Sequence, residues 1–179
     1  FLSTDNGSNW TAVNSGLTNN YIYSLAVSGT NIFVGTGYGV FLSIDNGSSW
    51  TAVNDGLTNT YTRSLAVNGT NIYAGTSAGV FLSSDNGSNW TAVNTGLIST
   101  NVAHLAVSGT NIFAGIDGGG VSLSSDNGCT WSALNNGLTN TWVRSVAVSG
   151  INIFAGTSGG VFLSTDNGSS WTAVNNGLT

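Results

Sequence analysis

The sequence repeats itself about every 40 residues, and this internal period limits the possible folds more than any other feature. Four units begin at Phe1, Phe41, Phe81 and Ser122, and a partial unit begins at Phe162. The third unit contains one additional glycine in the run 117–120. We interpret the chain as a single repeat domain, 1–179, with units 1–40, 41–80, 81–121 and 122–161 and the partial unit 162–179.

Each repeat predicts four short β-strands, which we name a, b, c and d. In the first copies they are residues 24–27, 31–34, 40–43 and 50–53, which are apolar or β-branched runs separated by glycine- and asparagine-rich turns. No segment has a helical period, and without proline no strand is excluded from the centre of a sheet. Four strands in about 40 residues is the spacing of a β-propeller blade. We predict an all-β fold of propeller blades, each of four antiparallel strands.

The motif Ser-x-Asp-x-Gly-x-x-Trp, here called the octapeptide, occurs once in every unit between strands c and d. Its aspartate can accept hydrogen bonds from backbone N–H groups of the turn, and its glycine permits a positive φ. Its tryptophan can pack between blades. We therefore assign structural roles to Asp5, Gly7, Trp10, Asp45, Gly47, Trp50, Asp85, Gly87, Trp90, Asp126, Gly128, Trp131, Asp166, Gly168 and Trp171.

Five spaced octapeptides resemble the Asp-box repeat, also called the bacterial neuraminidase repeat (BNR). The chain is similar in this respect to the propellers of sialidases, xyloglucanases, sortilin-type receptors and a photosystem II assembly factor. Those proteins share the repeat and differ in function. The resemblance therefore implies a β-propeller, and it does not select an activity.

Charge and composition exclude several classes of function. The cations are Arg63 and Arg144 alone, and the net charge is −5, so we expect no binding to nucleic acid. No apolar run reaches the length of a membrane span. Cys129 and His104 are each the only residue of their type, so we predict no disulfide within the chain, no metal site and no cofactor.

Catalytic residues are also scarce. The resemblance to sialidases would require three arginines and a Tyr/Glu pair, whereas the chain has two arginines and no glutamate. Glycosidases use two carboxyl groups, and only Asp55 and Asp117 lie outside the octapeptides. We predict a non-enzymatic scaffold or binding module. The alternatives are a fragment of an Asp-box glycoside hydrolase with catalytic residues outside this chain, and a duplicated or consensus propeller without an evolved ligand.

The units differ most in the d–a and b–c connections. Strand alternation places both connections on one face, which we call the variable face, and the octapeptide turns on the other. Either this face binds a glycan or a peptide, or it has drifted under few packing constraints. The candidate ligand-binding residues are Tyr21, Tyr23, Tyr38, Tyr61, Arg63, His104, Asp117, Trp142 and Arg144.

Two further expectations concern location and association. Strands rich in Ser, Thr, Asn and Gly without lysine are typical of secreted bacterial repeat proteins, which indicates an extracellular or cell-envelope setting. The strand order is c and d, followed by four sets of a to d. This order predicts four complete blades and a half blade, whose open edges favour self-association or continuation into further repeats.

Overall fold

The computed structural model describes residues 1–178, and within them sixteen strands form four antiparallel sheets of four. The first sheet contains β1 (Ile22–Ser28), β2 (Asn31–Thr36), β3 (Gly39–Ser43) and β4 (Thr51–Ala52). The second contains β5 (Thr62–Asn68), β6 (Asn71–Thr76), β7 (Gly79–Ser83) and β8 (Thr91–Ala92). The third contains β9 (Val102–Ser108), β10 (Asn111–Ile116), β11 (Gly120–Ser124) and β12 (Ser132–Ala133). The fourth contains β13 (Val143–Ser149), β14 (Asn152–Thr157), β15 (Gly160–Ser164) and β16 (Thr172–Ala173).

The sheets are consecutive propeller blades. In each sheet, every strand pairs with the next one in the sequence. The first strands of neighbouring sheets also touch, since β1 contacts β5, β5 contacts β9 and β9 contacts β13. This arrangement confirms the predicted all-β fold of four-stranded blades.

The core lies between the sheets and is built from the same pair of surfaces at each junction. Strand b of one sheet contributes a fully buried aromatic side chain, which is Phe33, Tyr73 or Phe113. It packs on the apolar face of the following sheet, where Leu, Ile, Ala and Trp side chains are buried. Burial of apolar surface at these junctions stabilises the fold by about 25 cal/mol per Å².

Backbone hydrogen bonds reinforce each junction. Between the first and second sheets, Trp90 N–H donates to the Asp55 carbonyl oxygen and Trp90 Nε1–H donates to the Val53 carbonyl oxygen, both at 2.8 Å. Leu65 N–H donates to Ser24 Oγ at 2.9 Å. Because these groups lie in an apolar junction, leaving them unpaired would cost free energy. The hydrogen bonds therefore fix how two neighbouring sheets align.

The octapeptide turn is a compact hydrogen-bonded unit. In Ser83–Trp90, Asn86 and Gly87 have φ values of 57° and 84°, and they are the central residues of a turn in which Ser88 N–H donates to the Asp85 carbonyl oxygen at 3.3 Å. Ser83 Oγ donates to Asp85 Oδ1 and accepts from Gly87 N–H, both at 2.8 Å. Asp85 Oδ1 also accepts from Asn89 N–H at 2.9 Å. The aspartate therefore serves the turn that contains it.

The outermost strands are only two residues long, and a following asparagine extends their pairing. Asn94 Oδ1 accepts from Val80 N–H at 2.7 Å across the hairpin. Gly79 lies directly against this amide with φ 112°, so no side chain fits there. The same arrangement recurs in each sheet, through Asn54, Asn135 and Asn175.

Residues 1–13 form an additional c–d hairpin in front of the first sheet. Leu2 and Thr11 exchange backbone hydrogen bonds at 2.8 and 2.9 Å, which corresponds to the pairing of Leu42 with Thr51. Trp10 is 62% exposed, whereas its four counterparts are at most 8% exposed. Its Nε1–H donates within its own turn, to the Gly7 carbonyl oxygen at 3.1 Å. Trp10 therefore does not pack between two sheets as the other tryptophans do.

Candidate functional site

The variable face gathers the b–c and d–a connections. The four sheets are antiparallel throughout, so these connections share one edge and the octapeptide turns share the other. Contacts across sheets agree with this, since a Cβ atom at Gly37, in a b–c connection, would lie 3.8 Å from the Tyr61 ring. The candidate ligand-binding residues are thus carried by connections on a rigid β-scaffold, a common setting for binding sites.

Five residues from three sheets form the most elaborate group on this face, and we call it the Asp117 cluster. Its members are Arg63, Asn101, Asp117, Trp142 and Arg144. Arg63 Nη1 lies 2.8 Å from Asp117 Oδ2, and Arg144 Nη1 lies 2.8 Å from both carboxylate oxygens. Arg63 Nη1–H also donates to Asn101 Oδ1 at 3.2 Å. The two arginines of the chain therefore meet at one carboxylate.

The two arginines stand at equivalent positions in the sheets on either side of Asp117. Position 103 is the corresponding position in the sheet between them, where the residue is an alanine. Asp117 lies in the b–c connection of the middle sheet, so arginines from both flanking sheets converge on it.

The cluster is buried at its base and open above. The Asp117 side chain is 5% exposed, Arg63 is 20% exposed and Arg144 is 52% exposed. Two guanidinium groups and one carboxylate leave a local charge of +1 in a chain of net charge −5. Because Arg144 has five N–H donors and commits Nη1 to Asp117, its outer donors face solvent. The arrangement can offer hydrogen bonds to a ligand.

Trp142 forms the apolar wall of the cluster. Its backbone bridges to Asp117, and its carbonyl oxygen accepts from Ser158 N–H at 3.0 Å. Its ring lies 5.8 Å from Arg144 Cζ, within the range of a cation–π contact, and is about half exposed. A flat apolar ring beside an open guanidinium can bind a molecule with one apolar side and one polar side.

The tyrosines of the variable face form a second, separate group. Tyr23 and Tyr61 stack edge to face with ring centroids 5.2 Å apart and join the first sheet to the second. Tyr21 and Tyr38 are largely exposed, and no described contact joins them to the Asp117 cluster. The structure thus brings four of the nine candidates together, namely Arg63, Asp117, Trp142 and Arg144.

His104 lies at a junction between sheets. Its Nδ1 accepts from Val146 N–H at 3.3 Å, and Ser24 and Ser64 use their hydroxyl oxygens in the same way at the two preceding junctions. Burial lowers the pKa of His104, which favours the neutral imidazole that this acceptor role needs. Its contacts are those of a link between the third and fourth sheets.

The octapeptide carboxyls are engaged on the opposite face. Hydrogen bonds from Asn9, Asn89, Thr130 and Ser170 lower the pKa values of Asp5, Asp85, Asp126 and Asp166 to about 2. Ser49 lowers the pKa of Asp45 in the same way. Among residues 1–178, no three His, Cys, Asp or Glu side chains group together as metal ligands would.

Sequence reasoning did not select Asn101 as a site residue. The sequence does distinguish this position, because the other units carry aromatic residues there: Tyr21, Tyr61 and Trp142. An amide at an aromatic position indicates a change of role. That role is to accept a hydrogen bond from Arg63 and, through the Asn101 carbonyl oxygen, from Asp117 N–H at 3.0 Å.

Several solved structures similar to this chain belong to much larger proteins. An ancestral GH74 enzyme aligns with a TM-score of 0.71 and 23% identity, over 92% of this chain and 27% of that one. The GH74 enzyme of Niastella koreensis aligns with a TM-score of 0.67 and 25% identity, over 97% of this chain and 28% of that one. The extracellular domain of the one-component system BT4673 from B. thetaiotaomicron aligns with a TM-score of 0.70 and 23% identity, over 84% and 22%. The chain thus spans about a quarter of the length of these proteins.

Sequence comparison gives a more specific assignment. No protein of curated function matches the chain. In the described residues, we find no helix with the length and apolar character needed to cross a membrane.

The profile of the DUF6242 β-propeller domain matches residues 3–140, which is more than half of the chain. The chain therefore belongs to the DUF6242 β-propeller domain family.

Proposed function

We propose that this propeller is a non-enzymatic carbohydrate-binding module, with its binding site at the Asp117 cluster. The observation that carries the proposal is the convergence of both arginines on Asp117 beside the exposed Trp142 ring. A sugar ring has an apolar face that stacks on tryptophan and hydroxyl groups that accept hydrogen bonds from a guanidinium. The similarity to GH74 enzymes supports a carbohydrate as the ligand.

We propose a non-enzymatic module because almost all carboxyl groups are engaged in turns or ion pairs. The five octapeptide carboxyls accept hydrogen bonds within their own turns. Asp117 forms ion pairs with two arginines and its side chain is 5% exposed, so both oxygens are engaged and shielded from a substrate. A glycosidase needs two carboxyl groups directed at one bond, and Asp55 alone lies outside these arrangements.

The octapeptides and the solved propellers support two further parts of the proposal. We assign the octapeptide to the Asp-box type, because its serine, aspartate and glycine form one hydrogen-bonded turn in each copy. We assign the module to an extracellular or cell-envelope setting in bacteria, supported by the extracellular BT4673 domain. On this proposal the module has no cofactor, no metal and no nucleic-acid partner.

A second candidate function is a contribution to a GH74-type hydrolase. The observation that favours it is coverage, since the chain aligns over 97% of its own length with 28% of the Niastella koreensis enzyme. On this alternative the catalytic carboxyls lie outside these 179 residues. The chain alone should then bind xyloglucan, the polymer named for the GH74 xyloglucanase of Xanthomonas campestris, and release no sugar from it.

A glycan array followed by calorimetry tests the first proposal. We expect Trp142→Ala and Arg144→Ala each to weaken binding of the selected glycan at least ~10-fold, since each removes one half of the site. Trp10→Ala is the matched control, because Trp10 is similarly exposed and belongs to an octapeptide turn on the other face. Equal binding by Trp142→Ala and the parent chain, or loss of binding in Trp10→Ala, would refute the assignment.

A further inference from the structure

One face of the first sheet is apolar and is uncovered in its inner half. We call it the open face and define it by Leu25, Val27, Ile32, Val34 and Trp50. Leu25 is 66% exposed and Val27 is 62% exposed. Beside them lies a cavity of about 310 Å³, closed on its outer side by Phe1, Leu2 and Val13 of the N-terminal hairpin. The hairpin thus covers the outer half of the face and leaves the inner half open.

The same face is covered in the other three sheets. The counterparts of Leu25 are Leu65, Leu105 and Val146, and they are 6%, 3% and 3% exposed. Strands a and b of the preceding sheet provide the cover, through Phe33 and Ala26 at the first junction and Tyr73 and Ala66 at the second. The three junctions within the chain therefore show that strands a and b of a preceding sheet pack against this surface.

The glycines of the octapeptides identify the side chain that the cavity fits. A Cβ atom at Gly87 would lie 3.3 Å from the Phe33 ring, and one at Gly128 would lie 3.4 Å from the Tyr73 ring. Gly47 lines the cavity, and its neighbours are Val13 and Trp50 without an aromatic ring from a strand b. The space beside Gly47 corresponds to the position of that ring.

The backbone of the N-terminal hairpin fixes the register of an incoming strand. In the first sheet, Leu42 pairs with Thr51 on one side and with Phe33 on the other. Leu2 pairs with Thr11, and this is an isolated bridge with no strand b beside it. A strand b that paired with Leu2 in the same register would direct its aromatic residue toward Gly47.

We propose that the open face binds a two-stranded β-hairpin with the a–b sequence of this repeat, which adds to the edge of residues 1–3. The occupant carries an aromatic residue opposite Leu2 and a small apolar residue opposite Phe1, as Tyr73 and Ala74 do opposite Leu82 and Phe81. Backbone pairing supplies affinity and the aromatic side chain supplies specificity, as in other cases of strand addition. This surface is independent of the Asp117 cluster.

Addition of a synthetic peptide with the sequence of residues 62–78 to the full chain tests the proposal. We expect saturable binding by calorimetry and slowed hydrogen exchange at the Ser3 and Leu25 amides, because the Leu2 amide already donates to Thr11. A peptide with Tyr73→Ser should bind at least ~10-fold more weakly, because its side chain cannot fill the cavity. Leu25→Glu in the chain should abolish binding and leave the fold intact, since Leu25 is exposed.

A covalent fusion tests the same proposal if the free hairpin peptide is too unstable to bind. The sequence of residues 62–80 is placed directly before Phe1, which reproduces the junction between Val80 and Phe81. We expect a higher melting temperature than that of the parent chain, and a Tyr73→Ser copy in the added segment should lose most of the gain. No binding in the first format together with no gain in the second would overturn the proposal. Concentration-dependent self-association that Leu25→Glu abolishes would also overturn it, because a second copy would then be the occupant.

Discussion

Trp90→Ala tests whether the octapeptide tryptophan stabilises the fold by being buried between two sheets. Trp90 is 4% exposed, so the indole buries about 200 Å², which at about 25 cal/mol per Å² gives a gross gain of about 5 kcal/mol. The substitution also leaves the Val53 carbonyl oxygen without its 2.8 Å donor. Because the two sheets can close part of the gap, we expect a net loss of about 3–5 kcal/mol in the free energy of unfolding.

The measurement is urea unfolding followed by far-UV circular dichroism, which does not depend on the fluorescence of the residue removed. Trp10→Ala is an internal control, since Trp10 has the same sequence context and is 62% exposed. We expect that control to change the free energy of unfolding by less than about 1 kcal/mol. Equal losses for the two variants, or a loss below about 1 kcal/mol for Trp90→Ala, would refute the explanation by burial.

Four further outcomes follow from the contacts described above. Between about pH 4 and pH 2 the protein should lose stability, because most octapeptide carboxyls keep a pKa of about 2 when folded against 3.8 when unfolded; a constant urea midpoint across this range would contradict it. Gly79→Ala should lower the melting temperature more than Gly69→Ala, since both have positive φ and only Gly79 would place a Cβ atom against Asn94. His104→Ser should remove the loss of stability that the parent chain shows as pH falls below 6.5, because burial lowers the pKa of this imidazole and a serine makes the same link; urea titrations at pH 5 and 7 check it. Asp117→Asn should destabilise the fold by about 1–3 kcal/mol, because Arg63 loses its counter-ion in a partly buried position, and unchanged thermal unfolding would count against this.

Local features of the fold were predictable from the sequence because their causes lie within one repeat. Strands a to d follow from apolar runs and turn residues, and the role of Asp85 in its turn depends on residues between Ser83 and Asn89. A period of about 40 residues then indicated how the units stack. The strand order also predicted the hairpin of residues 1–13.

The candidate site was only partly predictable, because its geometry depends on long-range contacts. Arg63, Asp117 and Arg144 come from three sheets, and no local pattern indicates that they meet at one carboxylate. His104 was selected because it was the only histidine, whereas its described contact links two sheets.

The near-identity of the junctions has a consequence for folding. Because every strand b carries a similar aromatic residue and every receiving face a similar glycine, the packing energy barely distinguishes a correct neighbour from the same element one repeat away. The short covalent connections between sheets favour the adjacent pairing. Newly made chains can therefore pair a–b hairpins with the wrong repeat, a form of misassembly that is characteristic of repeat proteins. The differences among the units at the Asp117 cluster work against such exchange, since Arg63 and Arg144 find Asp117 only when the three sheets follow one another in order.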